Sequence, residues 1–306
     1  MARAPYPGLA PDLWDLVAEM AAGTDPVPDH QRPIEVLRAA TARLEARLGP
    51  LPEGVETNDW TIPCNGRAVR LRHYTRPDTR AETLLYFHGG GWMLGSIEGH
   101  DLVCADLVLE TGMHVVSIDY ALAPEHPYPA ALLEGRAAIA HLQDTFSADM
   151  LWLGGDSAGA NLALGCALQL RDFDLPMPAG LFLIYPATDP RCRAMSHTRR
   201  ADAPYLSHAM MRRCWNTYLG DTAQAPYAAT ADADLHGLPQ AIILTAELDP
   251  LVDEGDALAK AFASHTDVWH EQAKGLIHGF LRFRESSHRS DAAFRRAARA
   301  LASRCP

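Results

Sequence analysis

With 306 residues, 48% of them hydrophobic and 21% charged, the chain has the composition of a globular protein of one large domain or two small ones. A formal net charge of −11 argues against a general nucleic-acid or anionic-membrane binder, both of which need a basic surface. There is no apolar stretch long enough to cross a bilayer, and the opening residues Met1-Ala-Arg-Ala-Pro-Tyr-Pro have no signal-peptide core, so neither a span nor a leader is expected.

The first fifty residues read as two helices, one over Pro11–Met20 and one over Pro33–Leu48, separated by a Pro- and Asp-rich break at 24–33. Helices that precede every strand need an apolar surface elsewhere to cover, so residues 1–50 are expected to belong to a lid. Strands are predicted at Thr57–Pro63 and Val69–Thr75, joined at Asn65-Gly66, a strong hairpin signal. From Thr83 the pattern alternates. Strands at Thr83–Phe87, His114–Asp119, Met150–Leu153 and Gly180–Tyr185 are interleaved with helices at 98–111, Ala130–Gln143 and 158–170. This rhythm means a mostly parallel sheet with helices on both faces, an α/β fold. The rhythm stops at 187–229, where a helix over Ser207–Leu219 carries Met210, Met211, Trp215 and Tyr218 on its apolar positions. An insertion after a strand end lies over the carboxyl edge of the sheet, where ligands bind in open α/β folds. Residues 187–229 are therefore assigned to the lid, with 51–186 and 230–306 as two parts of the core. A strand at Ala241–Thr245, a helix at Asp253–Ser264, a strand at Asp267–Gln272 and a basic helix at Asp291–Ala302 complete the chain.

The stretch Gly154-Gly-Asp-Ser-Ala-Gly159 carries the chemistry. A strand precedes it and an Ala- and Leu-rich helix follows, so Gly155 and Gly159 flank Ser157 at a sharp bend, as in a nucleophile elbow. The bend strains the serine and lifts its Oγ above the sheet edge, and the helix N-terminus turns free N–H groups toward whatever that Oγ attacks. The G-x-S-x-G pattern alone is weak; the flanking strand and helix strengthen it.

A serine hydroxyl needs a base, and the base needs an orienting group, in chain order Ser, Asp or Glu, His on loops after strands. Asp249 lies just beyond the Ala241–Thr245 strand and is the expected orienting acid. Asp253 is the runner-up, but Asp253 and Glu254 fall where a helix begins, which is a capping position. Glu247, at the strand end, is read as a packing or hydrogen-bonding residue. Of 14 histidines, His278 follows the last strand between Gly275 and Gly279 and is the expected base, whereas His265, His270 and His288 lie in or beside regular elements. A histidine base works only when neutral, so turnover is expected to fall on acidification. The oxyanion needs preorganised donors. Ala158 N–H is one, and Gly90 and Gly91 of His88-Gly-Gly-Gly-Trp92 are the others, with Gly89 a third candidate read mainly as conformational. His88 reads as a loop brace. Residues expected to border the substrate are Trp92, Asp156, Tyr185, Met210, Met211 and Trp215.

Together these residues resemble the bacterial hormone-sensitive-lipase-like esterases of the α/β-hydrolase superfamily. The matching stretches are His88-Gly-Gly-Gly-Trp with Gly95-Ser96 and His100-Asp101, Tyr120-Ala-Leu-Ala-Pro-Glu-His-Pro-Tyr-Pro129, Gly155-Asp-Ser-Ala-Gly159, Asp249-Pro-Leu-Val-Asp-Glu254 and His278-Gly-Phe280. They cover roughly residues 70–285. The chain departs from the pattern at Ala121, where the family usually has Arg. The resemblance implies an α/β-hydrolase core under a helical cap, and hydrolysis of short-chain carboxylic esters without a cofactor. It implies Ser157, Asp249 and His278 as the triad, and it makes a homodimer plausible. Amide or formamide hydrolysis on the same residues is the alternative reading. A ligand receptor on a dead hydrolase, as in the plant gibberellin receptors, is disfavoured because all three triad residues are present. A long-chain lipase is disfavoured by the polar, Arg-rich stretch 191–200. Six cysteines at 64, 104, 166, 192, 214 and 305 form no C-x-x-C and no metal-ligand spacing with histidine, so free thiols in a reducing cytoplasm and no metal are expected.

Overall fold

The structure, a computed structural model, describes residues 6–22, 29–147 and 150–305. Its strands are β1 (Glu56–Cys64), β2 (Arg67–Thr75), β3 (Thr83–Phe87), β4 (His114–Ile118), β5 (Leu151–Asp156), β6 (Gly180–Ile184), β7 (Gln240–Ala246) and β8 (Val268–Ala273). They form one 8-stranded sheet in the order β1-β2-β4-β3-β5-β6-β7-β8. Strand β2 runs antiparallel to both β1 and β4, and every other neighbouring pair is parallel. The Asn65-Gly66 hairpin forms as expected, with φ of 49° and 81° at the two turn residues.

The helices are α1 (Trp14–Ala22), α2 (Ile34–Glu45), α3 (Asp101–Thr111), α4 (Ala130–Thr145), α5 (Ala158–Asp172), α6 (Ser196–Arg199), α7 (His208–Leu219), α8 (Val252–Phe262) and α9 (His288–Ala302). The central strands β3 to β7 are buried on both faces, whereas β1, β2 and β8 carry polar, partly exposed residues, and successive side chains point to opposite sides. In β3, Leu85 and Phe87 join the layer of α4, α5, α7 and α8, while Leu84 and Tyr86 join the layer of α3 and α9. The same division runs through β6, with Leu181 and Leu183 on one side and Phe182 and Ile184 on the other.

Strand β5 runs three residues further than its apolar run suggests. Gly154 pairs with Tyr86 and Phe182, and Gly155 with Phe87 and Leu183. A Cβ on Gly154 would stand 2.7 Å from the Phe182 carbonyl oxygen, so these glycines serve close packing inside the sheet. The bend itself starts at Ser157. Helix α9 begins earlier than expected because Ser287 caps it, its hydroxyl accepting the Ser290 N–H at 3.1 Å.

The two N-terminal helices do not share one role. Leu13 and Val17 flank the layer of α3 and α9, and Leu37 of α2 joins the layer that contains α7. Ala10 N–H donates to Gly275 O at 2.9 Å and Asp12 accepts from Ser287 Oγ at 2.9 Å, so α1 is seated on the core beside the loop after β8. Helix α2 reaches the glycine loop instead: Arg38 donates to Met93 O and Ala123 O, both at 3.0 Å. Part of the break expected between these helices, residues 23–28, lies outside the described residues. The 187–229 segment has no strand. Its two ends meet at Asn161 of α5, whose amide donates to Ala187 O and Ala228 O, each at 2.8 Å.

Candidate active site

Ser157 sits between β5 and α5 with φ 56° and ψ −117°. A side chain rarely adopts that conformation, and it persists because the surroundings hold it. Its N–H donates to Ile184 O at 2.9 Å and its carbonyl accepts the Asn161 N–H at 3.1 Å. The Cβ of any residue other than glycine at 155 or 159 would collide with backbone, of β3 in particular. The flanking glycines are thus required by close approach of the bend to β3.

Asp249 follows β7, is fully buried, and accepts the Leu251 N–H at 2.8 Å. His278 follows β8 between Gly275 and Gly279, both at φ 72°. His278 Nδ1 lies 2.6 Å from Asp249 Oδ2, and His278 Nε2 lies 2.9 Å from Ser157 Oγ. The carboxylate only accepts, so Nδ1 carries the proton and Nε2 presents a lone pair to the serine hydroxyl. Asp253, the rival acid, is elsewhere: it accepts the Ser196 N–H at 2.9 Å and pairs with Arg199 at the start of α8. Glu247 accepts the Gly275 N–H at 2.8 Å and so braces the histidine loop.

Among the described residues, the N–H groups of Gly90 and Gly91 have no hydrogen-bond acceptor, and Ala158 N–H opens α5. These three can face an oxyanion. Gly89 cannot, because its N–H donates to Asp156 Oδ1 at 2.9 Å. That corrects the candidacy of Gly89 and also redefines Asp156. The Asp156 carboxylate is buried and collects four partners. Tyr86 Oη donates at 2.8 Å and Gly89 N–H at 2.9 Å, while Tyr185 Oη and His100 Nε2 lie at 3.3 Å. Burial works against its charge, but His100 and the hydrogen bonds outweigh that and hold its pKa down at about 2. Asp156 is a strut between β5 and the glycine loop, not a wall facing substrate.

His88 is the brace expected of it. Its ring stacks on Tyr120 at 4.3 Å, its Nδ1 lies 2.9 Å from Gly89 O, and its carbonyl accepts from Tyr120 Oη at 2.8 Å. Burial, with His100 nearby, pushes its pKa down to about 3. Trp92, Met211 and Trp215 are likewise interior residues. Trp92 lies parallel to Tyr218 at 4.5 Å and 4.2 Å from Trp215, forming an aromatic stack under the loop. Met210 is half-buried. Tyr185 borders the base, its ring 4.5 Å from that of His278. The sequence reading missed Tyr205 of the insertion, whose half-exposed ring lies 6.4 Å from His278, nearly parallel to it. Nothing in the sequence marks it; only in the fold does Tyr205 pack so close to Gly279 that a side chain there would strike its ring. A concavity of about 540 Å³ between the end of α2 and Ser96–Asp101 has none of the triad residues on its walls.

Contrary to the absence of ligand spacing in the sequence, the insertion brings Cys192, His197 and His208 together. No helix among the described residues is long and apolar enough to cross a membrane.

A family profile described as alpha/beta hydrolase fold matches residues 84–282. The chain is 33% identical over 289 residues to the carboxylesterase NlhH of Mycobacterium tuberculosis, covering 89% of this chain and 90% of that one. It is 36% identical over 249 residues to an acetyl-hydrolase of Streptomyces hygroscopicus, covering 80% and 82%. The crystal structure of a thermostable esterase from Pseudomonas putida superposes with a TM-score of 0.91 at 29% identity, over 99% of both chains. Fold, bend and comparisons agree, and the chain belongs to the hormone-sensitive-lipase-like family of the α/β-hydrolase superfamily.

Proposed function

We propose that Ser157, His278 and Asp249 carry out acyl transfer in this serine carboxylesterase. The observation that bears most weight is the unbroken chain from Ser157 Oγ through His278 to Asp249. As Oγ attacks the ester carbonyl, His278 Nε2 takes its proton and Asp249 holds the resulting imidazolium. The carbonyl oxygen becomes an oxyanion against the N–H groups of Gly90, Gly91 and Ala158. His278 returns the proton to the leaving alcohol, leaving an acyl-serine. Water, deprotonated by the same nitrogen, then releases the acid. No step calls on a cofactor.

Similarity to an acetyl-hydrolase supports a small acyl group. Ser157→Ala should lower kcat on p-nitrophenyl acetate by about 10⁴–10⁶-fold and abolish labelling by a fluorophosphonate probe. Near-parent turnover would overturn the assignment. Rates on p-nitrophenyl esters from acetyl to dodecanoyl should fall with length; a rise would overturn the short-acyl reading. Matched amides should react far more slowly than esters, and the reverse would favour the amidase alternative.

The six cysteines are all unpaired, which supports a reducing cytoplasmic setting. Strand β8 is an outer strand of the sheet, with α9 packed beside it, which supports a homodimer along that edge. Light scattering behind size exclusion should give twice the chain mass; a monomer at micromolar concentration would refute it.

A further inference from the structure

Outside the Ser157 site, three side chains of metal-binding type converge in the insertion between β6 and β7. Cys192 and His197 are buried and His208 is half-buried, and one ligand atom from each lies within 4.8 Å of the others. The Nδ1 atoms of His197 and His208 are 3.3 Å apart. Two imidazoles on one tetrahedral Zn²⁺, at bond lengths near 2.0–2.1 Å, place their nitrogens roughly 3.3 Å apart. On its far side, His197 Nε2 lies 2.6 Å from Glu254 Oε1. That carboxylate fixes the ring and turns Nδ1 toward Cys192 and His208, the usual outer partner of a metal-bound histidine. Glu254 is itself held by the N–H groups of Thr188 and Asp189 and the Thr188 hydroxyl, at 2.8–3.0 Å. Cys192 is held at φ 49°, a conformation few residues other than glycine adopt.

Charge fits as well. A thiolate and a carboxylate balance one divalent cation. The nearby Arg191 and Arg193 do not compete, because Asp189 and Asp232 already pair with both. One sulfur and two imidazole nitrogens favour a borderline cation over Mg²⁺ or Ca²⁺, which prefer oxygen.

We propose that Cys192 Sγ, His197 Nδ1 and His208 Nδ1 form a binding site for a divalent transition-metal cation, Zn²⁺ above all, with water completing the tetrahedron. Binding displaces the protons on Sγ and Nδ1. The two histidines bracket the segment that carries Tyr205, so the cation closes the loop that roofs His278. It also ties that loop to α8 through Glu254, one residue beyond Asp253. The site is a clamp on the insertion and takes no part in the acyl transfer.

Titration of the full-length, reduced protein with Co²⁺ tests this. One Co²⁺ per chain should bind, with a thiolate-to-Co²⁺ charge-transfer band and the visible bands of a tetrahedral ion, and Zn²⁺ should displace it. Cys192→Ser should abolish the charge-transfer band. Glu254→Gln should keep the band but weaken affinity about 10- to 100-fold. His208→Ala replaces the half-buried ligand, so it should fold as the parent does and weaken Co²⁺ binding at least as much. Zn²⁺ should raise Tm in the parent and leave it unmoved in His208→Ala. A parent with no charge-transfer band overturns the proposal, as does a band that survives Cys192→Ser. If Cys192→Ser fails to fold, His208→Ala decides: parent-like Co²⁺ affinity there overturns the site.

Discussion

Alanine at position 159 tests how tightly the serine bend is seated. A Cβ there would stand 2.5 Å from the Phe87 carbonyl carbon and 2.7 Å from the His88 carbonyl oxygen, where ordinary contact is 3.4–4 Å. Neither neighbour can step aside. Both carbonyls belong to the junction of β3 with the glycine loop, and β3 is paired on both edges. The Phe87 carbonyl oxygen is closer still, so relief requires α5 and β3 to separate by about 1–1.5 Å, because protein interiors hold no spare volume. Overpacking of this kind costs about 1–3 kcal/mol, so Tm should fall. The seam that opens lies between the bend that carries Ser157 and Ala158 and the start of the glycine loop at His88. A misplacement near 1 Å at a reacting centre can cost about 10²-fold, and the loss should appear in kcat. The assay is kcat and KM on p-nitrophenyl acetate beside a calorimetric Tm. Gly49→Ala is the control, since a Cβ there meets nothing within 4 Å, and it should leave both unchanged. Parent-like kcat and Tm in Gly159→Ala would show that the helix is not seated against β3 in this way.

Asp156→Asn places an amide N–H₂ among donors that now point at a carboxylate, and should cost about 1.5–3 kcal/mol of stability with a drop in kcat as the Gly89 strut loosens. Unfolding in urea and steady-state rates would both have to stay unchanged to dismiss it. His88 has its folded pKa depressed to about 3 from the ordinary 6.5, so its contribution is complete above pH 6.5 and is lost as pH falls toward 3. His88→Phe, which keeps the stack on Tyr120, should flatten the decline of the urea midpoint across that window; an unchanged slope would contradict the assignment. Arg38 ties α2 to Met93 O and Ala123 O and pairs bidentately with Glu125 at 2.7 Å, so Arg38→Ala should destabilise by on the order of 1 kcal/mol, given its partial exposure. A chemical-denaturation midpoint equal to the parent's would remove Arg38 as a tie.

The strand and helix order, the Asn65-Gly66 hairpin, and the bend at Ser157 were all legible in the sequence. Each depends on residues adjacent in the chain: apolar periodicity, turn chemistry, small residues where backbone must pass close. Asp249 and His278 were legible for a related reason, since strand ends in a parallel sheet gather at one edge and loops after them must meet there. Packing alone decided the rest. Gly89 and Gly90 look alike as letters, yet Asp156 consumes one N–H and leaves the other free. Trp92 and Trp215 read as pocket walls because apolar residues near a site do, and only the stack with Tyr218 assigns them to the interior. The split between α1 and α2, the Tyr205 ring over His278, and the meeting of Cys192, His197 and His208 follow from contacts between segments far apart or irregularly spaced. Local pattern encodes which elements form; which side chains end up sharing a proton, an oxyanion or a cation depends on how those elements pack.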